Sequence, residues 1–576
     1  MTAGTHEREH TVGLSRTASG GAVPSAWQRA HRAVEESRLV GWMASLGVTL
    51  VAFVLRVWHL GTPHLFEFDE TYYAKDAWSM LHFGYARNYA SDANDHILAG
   101  VTSGQWSSGP EMAVHPDVGK WLIAAGEKVF GMDPAGWRVA SCVVGTLMVL
   151  LLIRFVRRLT GSTLWGVVAG LLMTFDGLEF VLSRLALLDI FVAFFVLLAV
   201  HCMVADRDRC RRRMAELVPE DAPAAYASGR EWGPVRRLLV RPWLLAAGVS
   251  WGLALGSKWE AAYALAAFGL LYLGWSAGMR RSFGVRLAWL KAVVADGLTA
   301  FVHLVVVAAI VYVATWIPWM VHAHVFEQSL SSTQYTQYTG KGHCDQTSYV
   351  PDDLDTSKKW PTATEPDAHG LGEVTQSLRS LWYYHRDVYT FHTHFLQCAT
   401  HTYASQPSGW LLLNRPVGVA AETGIKPGDQ GCQAATGDTC LKQVLLLGTP
   451  LLWWGGCVAA IAAVLLWLGA RDWRFGVAVV GIAATWLPWL QYADRPIFSY
   501  YTIVTLPFLV LAITLCLGRL VGRSREASTR RTVGVVVSGS FLVLVMANFA
   551  WFWPIYTDAL ITHSAWLDRI WFGRWI

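Results

Sequence analysis

Long apolar runs separated by short polar segments dominate the pattern along the chain. A run of roughly 17 to 25 apolar residues can cross about 30 Å of hydrocarbon as one helix. Eleven such runs predict an integral membrane protein with eleven transmembrane helices. The third and fourth runs, and the fifth and sixth, have almost no residues between them. The runs cover residues 40–58, 137–155, 163–181, 185–204, 243–257, 259–276, 292–320, 443–468, 475–490, 500–518 and 533–553.

Arginines in the short connecting segments predict the orientation, because Lys and Arg in short loops are retained in the cytoplasm. With the N-terminus inside, all six basic clusters fall on the cytoplasmic side and the C-terminus lies outside. The clusters are Arg154, Arg157 and Arg158; Arg207 to Arg213; Arg236, Arg237 and Arg241; Arg280, Arg281 and Arg286; Arg471 and Arg474; and Arg519 to Arg531. We therefore expect a multi-pass plasma-membrane protein.

This topology divides the chain into five parts. Residues 1–39 are polar and lack a cleavable apolar segment, so they predict a disordered cytoplasmic tail rather than a signal peptide. The other parts are an N-terminal transmembrane module at 40–320 that includes an outer loop at 59–136, a long outer loop at 321–442, a C-terminal four-helix region at 443–553 and an outer tail at 554–576.

Composition agrees with a bilayer as the solvent. Of the 576 residues, 53% are hydrophobic and only 15% are charged, whereas soluble domains carry about 25% charged residues. A soluble enzyme and a disordered or fibrous protein are thereby excluded. The net charge of +5 does not indicate nucleic-acid binding, because the arginines form topological clusters and do not line one face.

Four of the nine cysteines, at positions 344, 398, 432 and 440, fall in the long outer loop, where disulfides are permitted. Cys432 and Cys440 are close in sequence and flanked by turn-forming residues, which favours a disulfide between them. Cys344 and Cys398 would then form a second pair, although four cysteines allow three connectivities.

Ionisable residues beside transmembrane helices are candidates for function because they are costly to place there. The segment HLFEFDETYYAKDAWSMLHFG follows the first span and predicts an interfacial helix that carries Asp69 and Glu70. On these residues alone, solvated acids on a polar face are the favoured interpretation, and Asp76 is expected to be one. VHPDVGKWLIAAGEKVFG predicts a second interfacial helix, with His115 and Asp117 ahead of it.

Three cations, Arg138, Arg184 and Lys258, are predicted at the outer ends of different helices. They either extend to lipid headgroups or converge on a phosphate at the membrane surface. The long outer loop adds His392, His394, His401 and Ser405. An HxH pair indicates a metal only with a third fixed ligand, so interfacial histidines without a metal are the favoured interpretation.

Taken together, these motifs resemble the protein O-mannosyltransferases, over roughly residues 40 to 520. The shared features are the Asp-Glu pair after the first span, HPxxGK in the same loop, an Arg opening the second span, SRxxLLD before the fourth, GxKW at an outer turn and HTYASQPSGW before the C-terminal helices. Eukaryotic relatives carry a β-trefoil insertion in the long outer loop. Residues 321–442 lack the length and the strand repetition for one, so no function of that insertion is carried over.

The resemblance implies an all-α GT-C glycosyltransferase that moves mannose from polyprenyl-phosphate mannose to Ser or Thr hydroxyls of secreted or membrane proteins at the outer face, with inversion. It implies Asp69 as general base and Glu70 as the group that binds or orients acceptor and base, with the two roles exchangeable. Lys258 and Arg138, with Arg184 as a third candidate, would bind the donor phosphate. A sugar and acceptor pocket would include His115, Asp117, Tyr73, His401 and Ser405.

The implied partners are the lipid donor, Ser/Thr-containing polypeptides, membrane lipids and the Sec translocon. No cofactor is required by the sequence; GT-C enzymes admit a divalent metal, but no acidic cluster here demands one. Two alternatives stay open. One is a GT-C enzyme that transfers another sugar to cell-wall glycan or lipid, and the other is a transporter. Transporters place charges near mid-membrane, whereas here the charges concentrate at outer helix ends.

Overall fold

The computed structural model describes residues 15–16, 22–23, 37–217, 241–331, 340–345, 348–355, 357–522 and 526–576. Most of the predicted tail, together with Arg236 and Arg237, lies outside these ranges. Within the tail, strands β1 (Ser15–Arg16) and β2 (Ala22–Val23) pair antiparallel.

Apolar helices lie at each of the eleven predicted positions. Among the described residues, eight helices are long and apolar enough to cross a membrane. They are α1 (Arg38–Val57), α5 (Pro134–Thr160), α8 (Asp189–Leu217), α10 (Ala261–Ser282), α11 (Ala288–Thr315), α15 (Pro450–Leu468), α16 (Trp473–Trp486, continued to Tyr492 by a 3-10 turn) and α18 (Thr529–Tyr556). Three shorter apolar helices, α6 (Thr163–Thr174), α9 (Pro242–Leu255) and α17 (Leu506–Val521), occupy the other positions. The count of eleven crossings stays a prediction.

Local sequence explains where the spans begin and end. For α5, the Asp133 side chain accepts a bond from the Gly136 amide, Pro134 occupies the first turn, and Gly161 ends the helix at φ 73°. The third predicted run is broken at Asp176, whose side chain caps the short helix α7 (Gly177–Leu182). The eighth run was predicted to start at 443, but α15 begins at Pro450 because residues 440–446 pair as a strand.

The helices surround a buried central span. In the most apolar window of α8, 89% of the residues are buried, compared with 17% in α11, so α8 forms the centre and α11 faces lipid. The 27 residues of α5 cover about 40 Å at 1.5 Å per residue, enough to connect the two membrane faces.

Arginine-rich helix ends meet at one membrane face, as the alternating topology predicts. Arg158 lies 3.6 Å from Asp208, and Arg241 donates to Asp206 at 2.8 Å. Asp296, near the start of α11, accepts from Arg280 at 2.8 Å. We call this end the arginine face and the opposite end the site face.

Short elements fill the two long loops on the site face. The first contains α2 (Glu70–Phe83), β3 (Arg87–Tyr89), α3 (Ala93–Leu98), β4 (Trp106–Pro110) and α4 (Val118–Phe130). The second contains α12 (Ile317–Val321), α13 (Ala323–Leu330), β5 (Gly342–Asp345), β6 (Ser348–Pro351), α14 (Leu371–Thr393), β7 (Val417–Ile425) and β8 (Cys440–Leu446). After α18 come β9 (Ile561–Thr562) and α19 (His563–Leu567). The predicted helices in the first loop are confirmed as α2 and α4.

Small sheets and disulfides order the segments on the site face. Strand β8 lies between β7 and β9 in an antiparallel sheet, and β3–β4 and β5–β6 form two-stranded ribbons. Both expected disulfides are confirmed, between Cys432 and Cys440 and between Cys344 and Cys398. In the ranges that the structure describes, the protein is thus predominantly helical, and the strands lie outside the spans.

Candidate active site

Asp69 lies at the turn that leads from the first span into α2. It occupies the N-cap position, yet its side chain accepts no bond from the helix amides. An Asp at this position usually does so, so its carboxylate is not committed to capping. The preceding residue, Phe68, has φ 50°, which is uncommon for a residue with a side chain and marks a strained turn.

The surroundings of Asp69 suit a proton acceptor. Burial raises the pKa of Asp69 to about 6, while Lys258 lowers it and Asp189 raises it. The Tyr73 hydroxyl lies 3.4 Å from the Asp69 Oδ2. A base is most effective when its pKa approaches the working pH. Asp69 is therefore ionised at neutral pH and a stronger base than an ordinary aspartate.

Lys258 is held beside Asp69 by an ion pair with Asp189. Its Nζ donates to both Asp189 carboxylate oxygens at 2.9 Å and lies 4.6 Å from the centre of the Tyr501 ring. Asp189 begins α8, and Lys258 follows α9 at the GxKW turn. Burial raises the pKa of Glu260, which follows in the same turn, to about 8. Lys258 is thus a charged group that Asp189 holds in a fixed position next to Asp69.

Arg495 contributes a second cation that the sequence reasoning missed. Its Nη1 donates to His392 Nδ1 at 3.2 Å, so His392 Nε2 carries the proton and donates to the Val114 carbonyl at 3.2 Å. Burial and the Arg495 charge lower the pKa of His392 to about 3, so this ring is neutral. His392 stacks on His115, with ring centres 5.4 Å apart. The sequence did contain a signal for Arg495. The predicted topology places it on the non-cytoplasmic side, where the positive-inside rule does not account for an arginine.

Glu70, next to Asp69, is enclosed by structural contacts. Arg138 donates to its two carboxylate oxygens at 2.9 and 2.8 Å. The Glu67 and Ala186 amides donate to the same carboxylate at 2.9 and 2.8 Å. Glu70 and Arg138 are both fully buried. The pair therefore joins α2 to α5 and to the segment before α8.

Arg184 lies at the end of the first span. It donates to the carbonyls of Arg56 at 3.0 Å and His59 at 3.1 Å, and also to that of Trp58. These carbonyls belong to the last turn of α1 and the residues just after it, where a cation compensates unpaired acceptors. Arg184 therefore anchors the chain that leads to Asp69.

His115 and Asp117 are fixed by a buried lysine. Lys120 Nζ lies 3.1 Å from an Asp76 oxygen, donates to Asp117 Oδ1 at 3.2 Å and donates to the His115 carbonyl at 3.1 Å. Asp76 is only 2% exposed, so the expectation of a solvated acid is wrong. Its partner lies 44 residues later in the chain, beyond the reach of a local pattern.

His401 and Ser405 lie at the edge of the cluster. The exposed His401 packs its ring against Phe68 and Phe498, with centres 5.6 and 4.9 Å away. Ser405 Oγ accepts from Trp410 Nε1 at 2.8 Å. His401 thus reaches the strained turn before Asp69, whereas the Ser405 hydroxyl is engaged in holding its own loop.

The structure brings Asp69, Tyr73, His115 and Lys258 together with Asp189, Arg495, His392 and Tyr501. Among the described residues, no group of three or more His, Cys, Asp and Glu side chains has the arrangement of a metal site. A half-buried carboxylate with an elevated pKa lies beside one fixed cation, Lys258, and a second cation, Arg495, belongs to the same cluster. Such a site can remove a proton from an acceptor while stabilising an anionic leaving group.

The fold resembles a solved S. cerevisiae protein O-mannosyltransferase Pmt1–Pmt2 complex bound to the sugar donor. The TM-score is 0.65 at 13% identity, covering 98% of this chain and 96% of that chain. The chain therefore has the GT-C fold of membrane glycosyltransferases.

Sequence comparison narrows the class to a family. A family model described as dolichyl-phosphate-mannose-protein mannosyltransferase matches residues 47–216, and one for the C-terminal four-helix region of protein O-mannosyltransferases matches residues 377–575. The polyprenol-phosphate-mannose–protein mannosyltransferase of Mycobacterium tuberculosis is 35% identical over 93% of this chain and 92% of the relative. The corresponding protein of Mycolicibacterium smegmatis is 35% identical over 93% of both chains. The chain belongs to the protein O-mannosyltransferase family, which confirms the resemblance seen in its motifs.

Proposed function

We propose that the protein transfers mannose from a polyprenyl-phosphate mannose to Ser or Thr hydroxyls of polypeptides. The observation that carries this proposal is the uncommitted carboxylate of Asp69 beside the fixed cation Lys258, with a second cation, Arg495, in the same cluster around Tyr501. Family membership supports the donor and acceptor classes, since the named relatives use a polyprenol-phosphate mannose and a protein.

In the proposed step, the acceptor oxygen forms a bond to the anomeric carbon while the bond from that carbon to the phosphate oxygen breaks. The acceptor proton passes to Asp69, and the electron pair of the broken bond leaves with the polyprenyl phosphate. A phosphate is already a good leaving group, so the site needs cations rather than a general acid. Attack opposite the leaving group inverts the configuration at the anomeric carbon.

Two cations are suited to the phosphate. Arg495 offers guanidinium N–H groups beyond its bond to His392, and its Nε is buried without a hydrogen-bond partner. Lys258 is oriented by Asp189 and has a third proton to donate. Arg138 is committed to Glu70, and Arg184 to main-chain carbonyls. We therefore assign the phosphate to Lys258 and Arg495, and a positioning role to Arg138 and Arg184.

The remaining residues divide between a pocket and its support. His115 and Tyr73 face the Asp69 cluster, and their ring centres are 6.2 Å apart, so we assign them to the sugar pocket. Asp117 positions His115 through Lys120. Glu70 holds the Asp69 turn in place, and His401 lines the approach on which an acceptor chain would lie.

A lateral cleft offers room for the apolar tail of the donor. The cleft, between α10 and α16, has a volume of about 990 Å³ and is lined by aliphatic and aromatic side chains such as Leu270, Leu271 and Trp467. It shares Tyr263 and Pro488 with a narrow pocket that also includes Glu260. A polyprenyl chain in the cleft would therefore place its phosphate next to the turn that carries Lys258.

The positions of the arginines indicate on which side of the membrane the active site lies. We infer that the arginine face is cytoplasmic and that the site faces the outside of the plasma membrane. A polypeptide leaving the Sec translocon in extended form would meet the site on that side.

Transfer in proteoliposomes tests the proposed function. The purified protein is incubated with polyprenyl-phosphate mannose labelled in the sugar and with a Ser/Thr-containing peptide. A matched peptide carries Ala at every Ser and Thr. We expect label in the first peptide and none in the second. Label in glycan or lipid instead, or labelled donor merely moved across the membrane, would contradict the proposal.

A further inference from the structure

Helix α14 carries an apolar stripe that no part of the described chain covers. Its members are spaced at helical intervals, and Leu371 is 88% and Trp382 is 65% exposed. The residues of the stripe are Leu371, Val374, Leu378, Trp382 and Tyr389. At 100° per residue they fall on one side of the helix. The opposite side is buried, with Tyr384 packed against Trp316 and Trp319.

The contacts that the same side of α14 makes nearer its C-terminal end show where the stripe points. His385 lies on this side and rests on the outer end of α11. Its Nε2 is 2.6 Å from the Tyr312 hydroxyl, and its ring centre is 4.9 Å from that of Trp316. Tyr389, two turns beyond Trp382, lies near Tyr263, which lines the mouth of the lateral cleft. The side that carries the stripe therefore faces the membrane where α14 extends past the spans.

The stripe continues the lipid-facing surface of the spans. Helix α11 is mostly exposed to lipid, and the short helix α12 follows it with Ile317 and Val321 more than half exposed. Helix α12 packs against α14. An exposed apolar surface therefore runs from α11 across α12 to α14. Arg386 is exposed and lies next to the stripe around the helix, as basic residues do on helices that lie in a headgroup region.

We propose that α14 is an in-plane membrane helix whose stripe inserts into the lipid leaflet on the site face. The occupant of this surface is phospholipid, because the stripe faces the bilayer and joins the lipid-exposed surface of the spans. The stripe includes Trp382 and Tyr389, and tryptophan and tyrosine are enriched at membrane–water interfaces. Near its C-terminal end the same helix presents His392 to Arg495 and His115. Insertion of α14 therefore fixes the position of His392, and of the site around it, relative to the membrane.

Nitroxide accessibility in proteoliposomes tests this placement. Labels are attached to Leu378→Cys and, in a separate variant, to Trp382→Cys, in vesicles of phosphatidylethanolamine and phosphatidylglycerol. The matched control is Glu373→Cys, an exposed position about 140° around the same helix from Leu378 and about 180° from Trp382. The parent protein, treated with the same reagent, corrects for its five free cysteines.

We expect the labels at 378 and 382 to collide preferentially with oxygen and to be shielded from a water-soluble nickel chelate. The control label should show the reverse preference. Equal exposure of all three labels to the chelate would overturn the proposal. Shielding that appears only when an acceptor peptide is added, or only at high protein density in the vesicles, would assign the surface to a polypeptide or to a second copy and would also overturn it.

Discussion

At the scale of single residues, two adjacent carboxylates have opposite environments. Asp69 accepts no helix-capping bond and faces Lys258, whereas Glu70 is enclosed by Arg138 and two main-chain amides. The sequence identified both acids as candidates but could not divide their roles. Arg138 is 68 residues away from Glu70, and only the packing of α2 on α5 brings the two together.

Glu70→Gln is expected to damage the fold before it affects chemistry. The change leaves the Arg138 charge buried without its partner, which typically costs about 3–5 kcal/mol. Thermal unfolding of the purified variants should show a large fall in stability. Glu373→Gln, an exposed acid on α14, should leave stability unchanged. A Glu70→Gln protein with wild-type stability and weakened use of the acceptor peptide would return Glu70 to an acceptor-binding role.

Arg495→Ala is expected to impair use of the lipid donor. If this guanidinium stabilises the phosphate as negative charge develops, its loss should lower kcat/KM for the donor by an amount equivalent to about 2–4 kcal/mol. The KM for the acceptor peptide should change little. The matched control is Lys426→Ala, which removes an exposed cation from the long loop at residues 321–442. Donor kinetics that match those of the control would remove Arg495 from the phosphate site.

At the scale of elements, the two helices of the first loop act as a frame for the site. Lys120 on α4 bridges Asp76 on α2 and Asp117 before α4, and it binds the His115 carbonyl. The sequence predicted both helices from their amphipathic pattern. The pattern could not show that Asp76 on α2 is covered, because the covering residue, Lys120, comes from a different helix. A contact from a still more distant segment holds the chain before α4, where the Tyr384 hydroxyl of α14 donates to the Ala113 carbonyl at 2.7 Å.

Asp76→Asn is therefore expected to reduce activity, although Asp76 is two helical turns from Asp69. Without the Asp76 charge, Lys120 keeps one carboxylate partner, and the turn that carries His115 loses part of its support. A small displacement of such a positioned group can lower turnover by about 10²-fold. Peptide mannosylation rates measure the effect. The control is Asp92→Asn, an exposed carboxylate in the same loop. Full activity of Asp76→Asn would show that the frame does not govern the site.

At the scale of the whole molecule, the hydrophobic pattern predicts the membrane fold well. Helices occur at all eleven predicted positions, and their arginine-bearing ends meet at one face. The strand β8 was not predicted, because its apolar residues are compatible both with a strand and with the start of a transmembrane helix. The site was predictable only in part. Motifs revealed Asp69, His115 and Lys258, but Arg495 and Asp189 acquire their roles through contacts between loops far apart in sequence.

Reporter fusions test the orientation of the molecule. A reporter that is active only outside the cytoplasm should work when fused at Gly370 and fail at Ala225, because the arginine clusters place residues 205–242 inside and 321–442 outside. The opposite pattern would place the site on the cytoplasmic side, and it would contradict transfer to exported polypeptides.

The central claim is that Asp69 takes the acceptor proton, and the turnover of Asp69→Asn tests it most directly. Asparagine keeps the size of the side chain but cannot accept the proton, so kcat should fall by about 10² to 10⁴-fold. Stability and donor binding should be retained, because the carboxylate makes no capping bond. In the wild type, burial raises the pKa of Asp69 to about 6, so kcat should be lost as the pH falls through about 6. A purified Asp69→Asn enzyme with near wild-type transfer to peptide and the same acid limb would contradict the account.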